Sequence, residues 1–556
     1  MKLDRLLKRR TFYPFVFIGL FSCNTMVHKD TSGQSKRPNI LFVISDDQGY
    51  PYASAYGCKF VNTRNFDSIA HAGILFTRFF VDAPQCSPSR ASILTGKHIW
   101  QIGPAGTHAS IFPAGLPVYT DILKDHGYQV GYTGKGWGPG SWEDGGRATN
   151  PAGILYEDTA ERYTKNYPEK RWANGISMDN YAASFQMFLS KRDKNKPFCF
   201  WLGGREPHRP YEKGSGIRRG GKLSSVTVPP YLPDTKEAKS DFLDYAVEIN
   251  WFDMQVGRAL EALKKEGELD NTLIIFMGDN GMPFPRAKAF SFEAGVHTPL
   301  AILWKDHIKN PGRTVNDLVC AVDILPTILE AAGVKDTISN TQGKSLLNIF
   351  ENGRSGVTDP ARKYVFFGRE RHSDARWHTL GYPERAVRTD HYLYVWNLKP
   401  ERYPAGAPKK IVRDTLDWAY EDIDGSPTKT YMIQHRDDPS LSQSIEVPSK
   451  SAGSAKQAEN SISLFNLSFG KFPEEMLYDI QKDPYCLYNL AGDPHYDKIK
   501  AHLSSVLKQK LKETHDPRLG ETPDVWESYR RYGPMREFPR PAWADSIINK
   551  SHVVGK

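Results

Sequence analysis

The chain has little of what would mark a zinc protein, a nucleic-acid binder or an integral membrane protein. Only six cysteines occur in 556 residues (Cys23, Cys58, Cys86, Cys199, Cys320 and Cys486), and no two stand at a zinc-type spacing. Cys199 and Cys320 lie in apolar runs and read as small core residues. An exported chain can form a disulfide, yet the spacing selects no pair. Lys+Arg of 73 against Asp+Glu of 64 leaves a formal charge of +9. Over this length that is a mild bias towards polyanions, and without a basic low-complexity tail it is not a nucleic-acid footprint. No apolar run is long enough to span a bilayer, and no internal repeat is present. What remains is ordinary globular composition, 39% apolar and 25% charged, enough for one large domain plus a smaller one.

The N-terminus carries an address. Lys2, Arg5, Lys8, Arg9 and Arg10 precede the apolar run from Phe12 to Phe21, the pattern of a secretory signal. Leu20-Phe21-Ser22-Cys23 resembles a bacterial lipoprotein cleavage box, which would make Cys23 the lipidated first residue of the mature chain; cleavage by ordinary signal peptidase is the alternative. The expectation is a signal over 1–23, a polar linker over 24–37, and export to the periplasm or the outer membrane of a bacterium. Membrane contact would then run only through the lipid anchor.

From Asn39 to Ile44 runs a continuous apolar stretch, the mark of a strand buried on both faces, and it ends in Ser45-Asp46-Asp47. The pattern recurs: Gln129–Thr133 leads to Lys135, Phe198–Leu202 to His208, and Leu273–Met277 to Asp279-Asn280. Apolar residues at helical spacing predict a helix over Asp241–Lys265, with Ser240 as its N-cap. Strands alternating with helices predict an α/β fold with a large, mainly parallel sheet, whose crevice lies beyond the carboxyl ends of the strands. Beyond about residue 365, Arg388–Asn397 and Glu475–Ile480 read as strands of a smaller sheet and Asp497–Thr514 as an amphipathic helix. The polar stretch from 425 to 460 between those strands reads as a long surface excursion.

The chemistry centres on Cys86-Ser87-Pro88-Ser89-Arg90, followed by Ala91 to Gly96. Arg90 to Leu94 reads as the first turns of a helix. That puts Cys86 in the loop feeding a helix N-terminus, where a thiol is expected to be acidified. Asp46, Asp47, Asp279 and Asn280 offer hard oxygen donors, so the predicted metal is Ca²⁺ or Mg²⁺ and not zinc. Arg90, Lys135 and Lys288 are candidate clamps for a transferring oxyanion. His208 and His108 are acid/base candidates.

C-x-P-x-R ahead of a Ser/Thr-Gly helix resembles the sulfatase family, and the resemblance runs from Pro38 to about Glu527. Within the family the chain is most similar to the sulfamidases, the heparan N-sulfatases. That similarity rests on Asp279-Asn280-Gly281-Met282-Pro283-Phe284-Pro285, on Tyr382-Pro383-x-Arg385-x-Val387-Arg388, and on Glu513-Thr514-His515-Asp516-Pro517. The resemblance implies an alkaline-phosphatase-like fold with a catalytic domain over 38–365, a C-terminal α+β subdomain with an antiparallel sheet over 366–530, and a tail over 531–556. It implies that a maturase oxidises Cys86 to Cα-formylglycine, whose hydrated aldehyde attacks sulfur. Asp46, Asp47, Asp279, Asn280 and the modified Cys86 would hold the metal, with Arg90, Lys135, His208 and Lys288 around the sulfate. Lys288 replaces an arginine of the sulfamidase pattern, losing the bidentate fork. Trp137 stands where many sulfatases have a histidine, and it is assigned with Arg209 to wall the sugar. Arg369, Glu370, Arg371 and His372 open the smaller domain and are expected to fix hydroxyls or a neighbouring uronate. The expected substrate is a sulfated glycan oligosaccharide, with the N-sulfate of glucosamine preferred and an O-sulfatase as the alternative. A phosphatase of the same superfold would not need Pro88-x-Arg90, and a non-catalytic glycan binder would have lost a ligand.

Overall fold

The computed structural model describes residues 37–157, 171–336, 338–444 and 461–544. The expected signal, Cys23, most of the linker and the end of the tail lie outside them. Eight strands build the main sheet. In chain order they are β1 (Asn39–Ser45), β2 (Ile74–Phe76), β3 (Gln129–Gly134), β4 (Ile154–Leu155), β5 (Phe198–Gly203), β6 (Thr272–Gly278), β7 (Leu300–Leu303) and β8 (Arg313–Val315). Their spatial order is β4-β3-β5-β1-β6-β7-β2-β8, and β7 alone runs antiparallel to its neighbours. Seven consecutive buried residues in β1 and in β6 follow from that central placement, because both faces are covered.

Each face buries one set of alternating side chains. Leu41 and Val43 of β1 pack with helices α1 (Arg64–Ala72) and α3 (Tyr181–Lys191) and with the C-terminal half of α4 (Lys236–Lys265), through Phe66, Phe185, Phe252 and Leu263. Ile40, Phe42 and Ile44 pack on the other face, in the core that also holds Ile93 and Leu94 of α2 (Cys86–Thr95). Every residue of α2 is buried. The long helix starts earlier than its apolar stripe predicts. Thr235, not Ser240, caps it, with its hydroxyl accepting from Ala238 N at 3.3 Å.

A second sheet follows, four-stranded and antiparallel: β9 (Val365–Arg369), β10 (Glu384–Arg388), β11 (Tyr392–Asn397) and β12 (Glu475–Asp479). The single strand expected over Arg388–Asn397 is thus a hairpin, because Thr389 to His391 turn the chain. Val387, Tyr394 and Leu477 pack against Leu503, Leu507 and Leu511 of α6 (Asp497–Glu513). Part of the expected surface excursion is built in: α5 (Pro427–Gln434) buries Met432, and Thr428 Oγ1 donates to Asp241 at 2.7 Å. Residues 445–460 of that stretch lie outside the described ones. The five cysteines among the described residues are free, and no described helix is long and apolar enough to cross a membrane.

Candidate active site

Strands β3, β5, β1 and β6 are adjacent and parallel, and their ends are level: Gly134 pairs with Gly203, Ile44 with Gly203, and Ser45 with Gly278. The polar groups that follow each strand therefore meet at one edge. Asp47 leaves β1 in the left-handed region, φ 68°, an uncommon conformation for a residue with a side chain. Tyr245 holds that turn, its hydroxyl donating to Asp47 O at 2.9 Å. The turn lets Asp47 N donate to Asp279 Oδ1 at 2.9 Å while Asn280 Nδ2 donates to Asp47 Oδ1 at 2.8 Å.

Three cations interlock with these acids. Arg90 Nε donates to Asp279 Oδ2 at 2.8 Å, Lys135 Nζ to Asp46 Oδ2 at 2.5 Å and Lys288 Nζ to Asp47 Oδ2 at 2.7 Å. Arg90 also bonds the carbonyl of Lys135. The approach is close because residue 138 is glycine: a Cβ there would sit 2.9 Å from Arg90 Cδ. Cys86 Sγ, Asp46 and Asp279 present ligand atoms within 4.8 Å of one another.

Cys86 is the first residue of α2, 2% exposed, and not a loop residue. Its thiol is not acidified. Burial pushes it up, and the Asp46 and Asp279 carboxylates add to that against the pull of Lys135 and Lys288. The helix-terminus argument fails here because desolvation and like charge outweigh the dipole.

The residues fit a hard divalent cation. Asn280 Oδ1 is buried with no hydrogen-bond partner, so one oxygen of the donor set is left for a ligand. Burial and the charges of Asp46 and Asp47 push the Asp279 carboxyl up to about 7, even with Arg90 beside it. Burial would also raise Asp46, but Lys135, His208 and Arg90 hold it well below the usual carboxylate range. Below about pH 7 the metal-free site thus keeps a proton on Asp279 that a cation must displace. Added Ca²⁺ is expected to raise the melting temperature more at about pH 8 than at about pH 5.5, and calcium titrations followed by thermal unfolding test this. Equal shifts at both pH values would remove Asp279 from the ligand set.

The histidines divide. His208 Nδ1 donates to the Arg209 carbonyl at 2.6 Å, which leaves Nε2 for proton transfer, 3.8 Å from Asp47 Oδ2. His108 lies edge-on to His372, ring centroids 5.2 Å apart. Burial, then His372, Lys135, Arg531 and Lys288, hold it well below its ordinary value, which favours the neutral ring. Asp424 was not visible as a site residue in the sequence. It accepts from Lys288 Nζ at 3.0 Å and offers a ligand atom within 4.8 Å of those of Asp47 and His208. No motif surrounds it; the signal available was only its place beside the buried Asp422.

Several residues assigned to the sugar are occupied elsewhere. Arg209 forms a bidentate pair with Asp241 at 2.7 and 2.9 Å and packs over the Phe284 ring. Arg369 is fully buried on Asp422 at 2.8 Å. Glu370 is fully buried between Arg385 at 2.7 Å and Arg518 at 2.6 Å. Arg371 bonds the Tyr529 and Arg530 carbonyls. Each of them already has partners within the fold. His372 stays beside His108 with Nδ1 3.5 Å from Asp422. Trp137 is partly buried with its indole N–H spent on Gly140 O at 2.8 Å.

A mainly parallel sheet that gathers buried acids, a buried cysteine and three cations at one edge fits a hydrolase of tetrahedral oxyanion esters. The sulfatase family profile matches residues 38–334, and the profile of the N-sulphoglucosamine sulphohydrolase C-terminal region matches 286–399. The chain belongs to the sulfatase family, hydrolases of sulfate esters and sulfamates. It is 26% identical to human N-sulphoglucosamine sulphohydrolase over 518 residues, covering 86% of this chain and 91% of that one. It is 29% identical over 428 residues to an N-acetylglucosamine-6-O-sulfatase of Bacteroides thetaiotaomicron, covering 61% and 75%. The fold is shared with a structure solved with its substrate D-glucosamine-2-N,6-O-disulfate (TM-score 0.58, 22% identity, 88% of this chain and 100% of that one). It is shared as well with the phosphonate monoester hydrolase of Agrobacterium radiobacter (TM-score 0.58, 18% identity, 87% and 97%).

Proposed function

We propose that the protein removes the N-sulfate of glucosamine at the non-reducing end of heparin or heparan sulfate fragments. The observation that carries this is the likeness to the human N-sulphoglucosamine sulphohydrolase, which extends through the C-terminal region. The 6-O-sulfatase relative supplies the competing reading. Asp46, Asp47, Asp279 and Asn280 would hold Ca²⁺ or Mg²⁺, and Cys86, oxidised by a maturase, would complete the site as formylglycine. When bound, the cation neutralises charge among the carboxylates, and the hydrated aldehyde supplies the nucleophile. Arg90, Lys135 and Lys288 would hold the sulfate oxygens and spread the charge that grows on them. Trp137 would wall the sugar through its ring, since its N–H is already committed. We assign the chain to the exported proteins, with the anchor, if formed, on Cys23.

An amine leaves poorly unless it is protonated. His208 is the group that can do this, because its Nδ1 is fixed and the surroundings of His108 favour its neutral ring. His208→Ala is therefore expected to slow N-desulfation about 10²- to 10⁴-fold, and to slow hydrolysis of an activated aryl sulfate far less. Side-by-side kinetics on N-sulfated glucosamine, 6-O-sulfated glucosamine and the aryl sulfate decide the matter. Equal losses on both substrates remove the acid role from His208, and wild-type 6-O-desulfation without N-desulfation moves the specificity to the O-sulfate.

A further inference from the structure

Residues 529–532 were read from sequence as the end of the smaller domain and the start of a tail. In the fold they lie against Ala109 and Ser110, next to His108. Tyr532 N donates to Ala109 O at 2.7 Å, and Ser110 Oγ donates to Arg530 O at 3.1 Å. Arg371 Nη2 donates to the same Arg530 carbonyl at 3.3 Å, and its own carbonyl accepts from His108 N at 3.0 Å. Arg531 is thus gripped on both sides, with His108 on the segment that grips it.

Arg531 makes no hydrogen bond or ion pair among the described residues, and its Nε and Nη1 are buried without a partner. His108 Nδ1 is also buried without a partner. Among the neighbouring cations Arg90 pairs with Asp279, Lys135 with Asp46, Lys288 with Asp47 and Asp424, and Arg369 with Asp422, while Arg371 is held by the Tyr529 and Arg530 carbonyls. A guanidinium is always charged and presents a planar fork matched to carboxylate and sulfate oxygens. Leaving Nε and Nη1 desolvated and unpaired is unfavourable unless a ligand completes them. The backbone contacts set Arg531 beside the segment that carries His108, and the charges of Arg531, Lys135 and Lys288 all disfavour the protonated form of that histidine.

We propose that Arg531, with His108, forms an anion subsite that receives a second acidic group of the glycan while its scissile sulfate lies among Arg90, Lys135 and Lys288. The inference rests on the reading that those three clamp the scissile group. The shared chemistry is an oxyanion on the saccharide, from either of two sources: a second sulfate on the same sugar or the carboxylate of a neighbouring uronate. It also takes up what the sequence reading gave to Arg369, Glu370 and Arg371, which are held by Asp422, by Arg385 and Arg518, and by the Tyr529 and Arg530 carbonyls.

The test compares wild type with Arg531→Ala and Arg531→Lys on four substrates. These are an aryl sulfate and glucosamine N-sulfate, with one acidic group each, then glucosamine N,6-disulfate and an N-sulfated disaccharide carrying a uronate. The expected result is a rise in KM of about ten- to a hundredfold for Arg531→Ala on substrates with a second acidic group, with kcat kept and the single-anion substrates unchanged. Arg531→Lys should fall between, keeping charge and losing the fork. A loss confined to the disulfate assigns the second sulfate, and one confined to the uronate disaccharide assigns the carboxylate. Equal losses on all four, or none, overturn the proposal. Calorimetric binding of the same disaccharide to Cys86→Ala protein, with and without Arg531→Ala, gives the answer without turnover. If wild type prefers O-sulfates, an O-sulfated series with one and two acidic groups replaces the N-sulfated one, so failure of the specificity reading and failure of the subsite remain distinct.

Discussion

Cys86→Ala protein is expected to fold and to have no turnover. The thiol is 2% exposed in the first turn of a helix whose every residue is buried, so the replacement removes one packed sulfur atom and costs roughly 1 kcal/mol. Loss of the group that attacks should lower the rate about 10⁶-fold, to the detection limit of most assays. Cys86→Ser should fail equally. Burial and two carboxylates raise the thiol, so the unmodified side chain is a poor nucleophile, and a serine hydroxyl in that place is poorer still. Peptide mass spectrometry of active wild-type protein is expected to find formylglycine at Cys86. Full activity with only thiol there, or measurable turnover by Cys86→Ala, would overturn the assignment of the nucleophile.

Glu370→Ala is expected to cost about 3–5 kcal/mol of stability, a large part of the margin of an ordinary folded protein. Glu370 joins β9 to two buried arginines: Arg385 of β10, which also bonds Asp516 at 2.6 Å, and Arg518, which also bonds Asp524 at 2.7 Å. Deleting the carboxylate leaves two desolvated guanidinium groups short of negative charge. Glu370→Gln, which keeps a hydrogen-bond acceptor and the volume, should cost less. Thermal and denaturant unfolding check both. A Glu370→Ala protein with unchanged stability and a raised KM would return the residue to the sugar.

The parts of the site carried by strand ends were readable in advance. A run such as Ile40–Ile44 declares a doubly covered strand, and parallel neighbours must deliver their next residues to one edge, so Asp46, Lys135, His208 and Asp279 could be brought together without coordinates. The antiparallel β7 could not, since an apolar strand has no mark of direction. Tertiary charge pairing was equally hidden. Arg209, Arg369, Glu370 and Arg371 look the same in sequence whether they face a sugar or a partner such as Asp241. Asp424 and Arg531 were missed for the opposite reason, because each enters the cleft from a polar stretch with no periodicity to place it.

The contact between residues 530–532 and residues 109–110 joins segments 420 positions apart through Ser110 and Arg530, and Trp100 reaches Thr514 across 414. The segment that carries His108 is therefore held by residues far away in sequence. Contacts of such span form late, after the loop between them has lost its freedom. A maturase acting on Cys86, as the proposed function requires, would have to reach that thiol before α2 is packed, since in the finished fold it is 2% exposed.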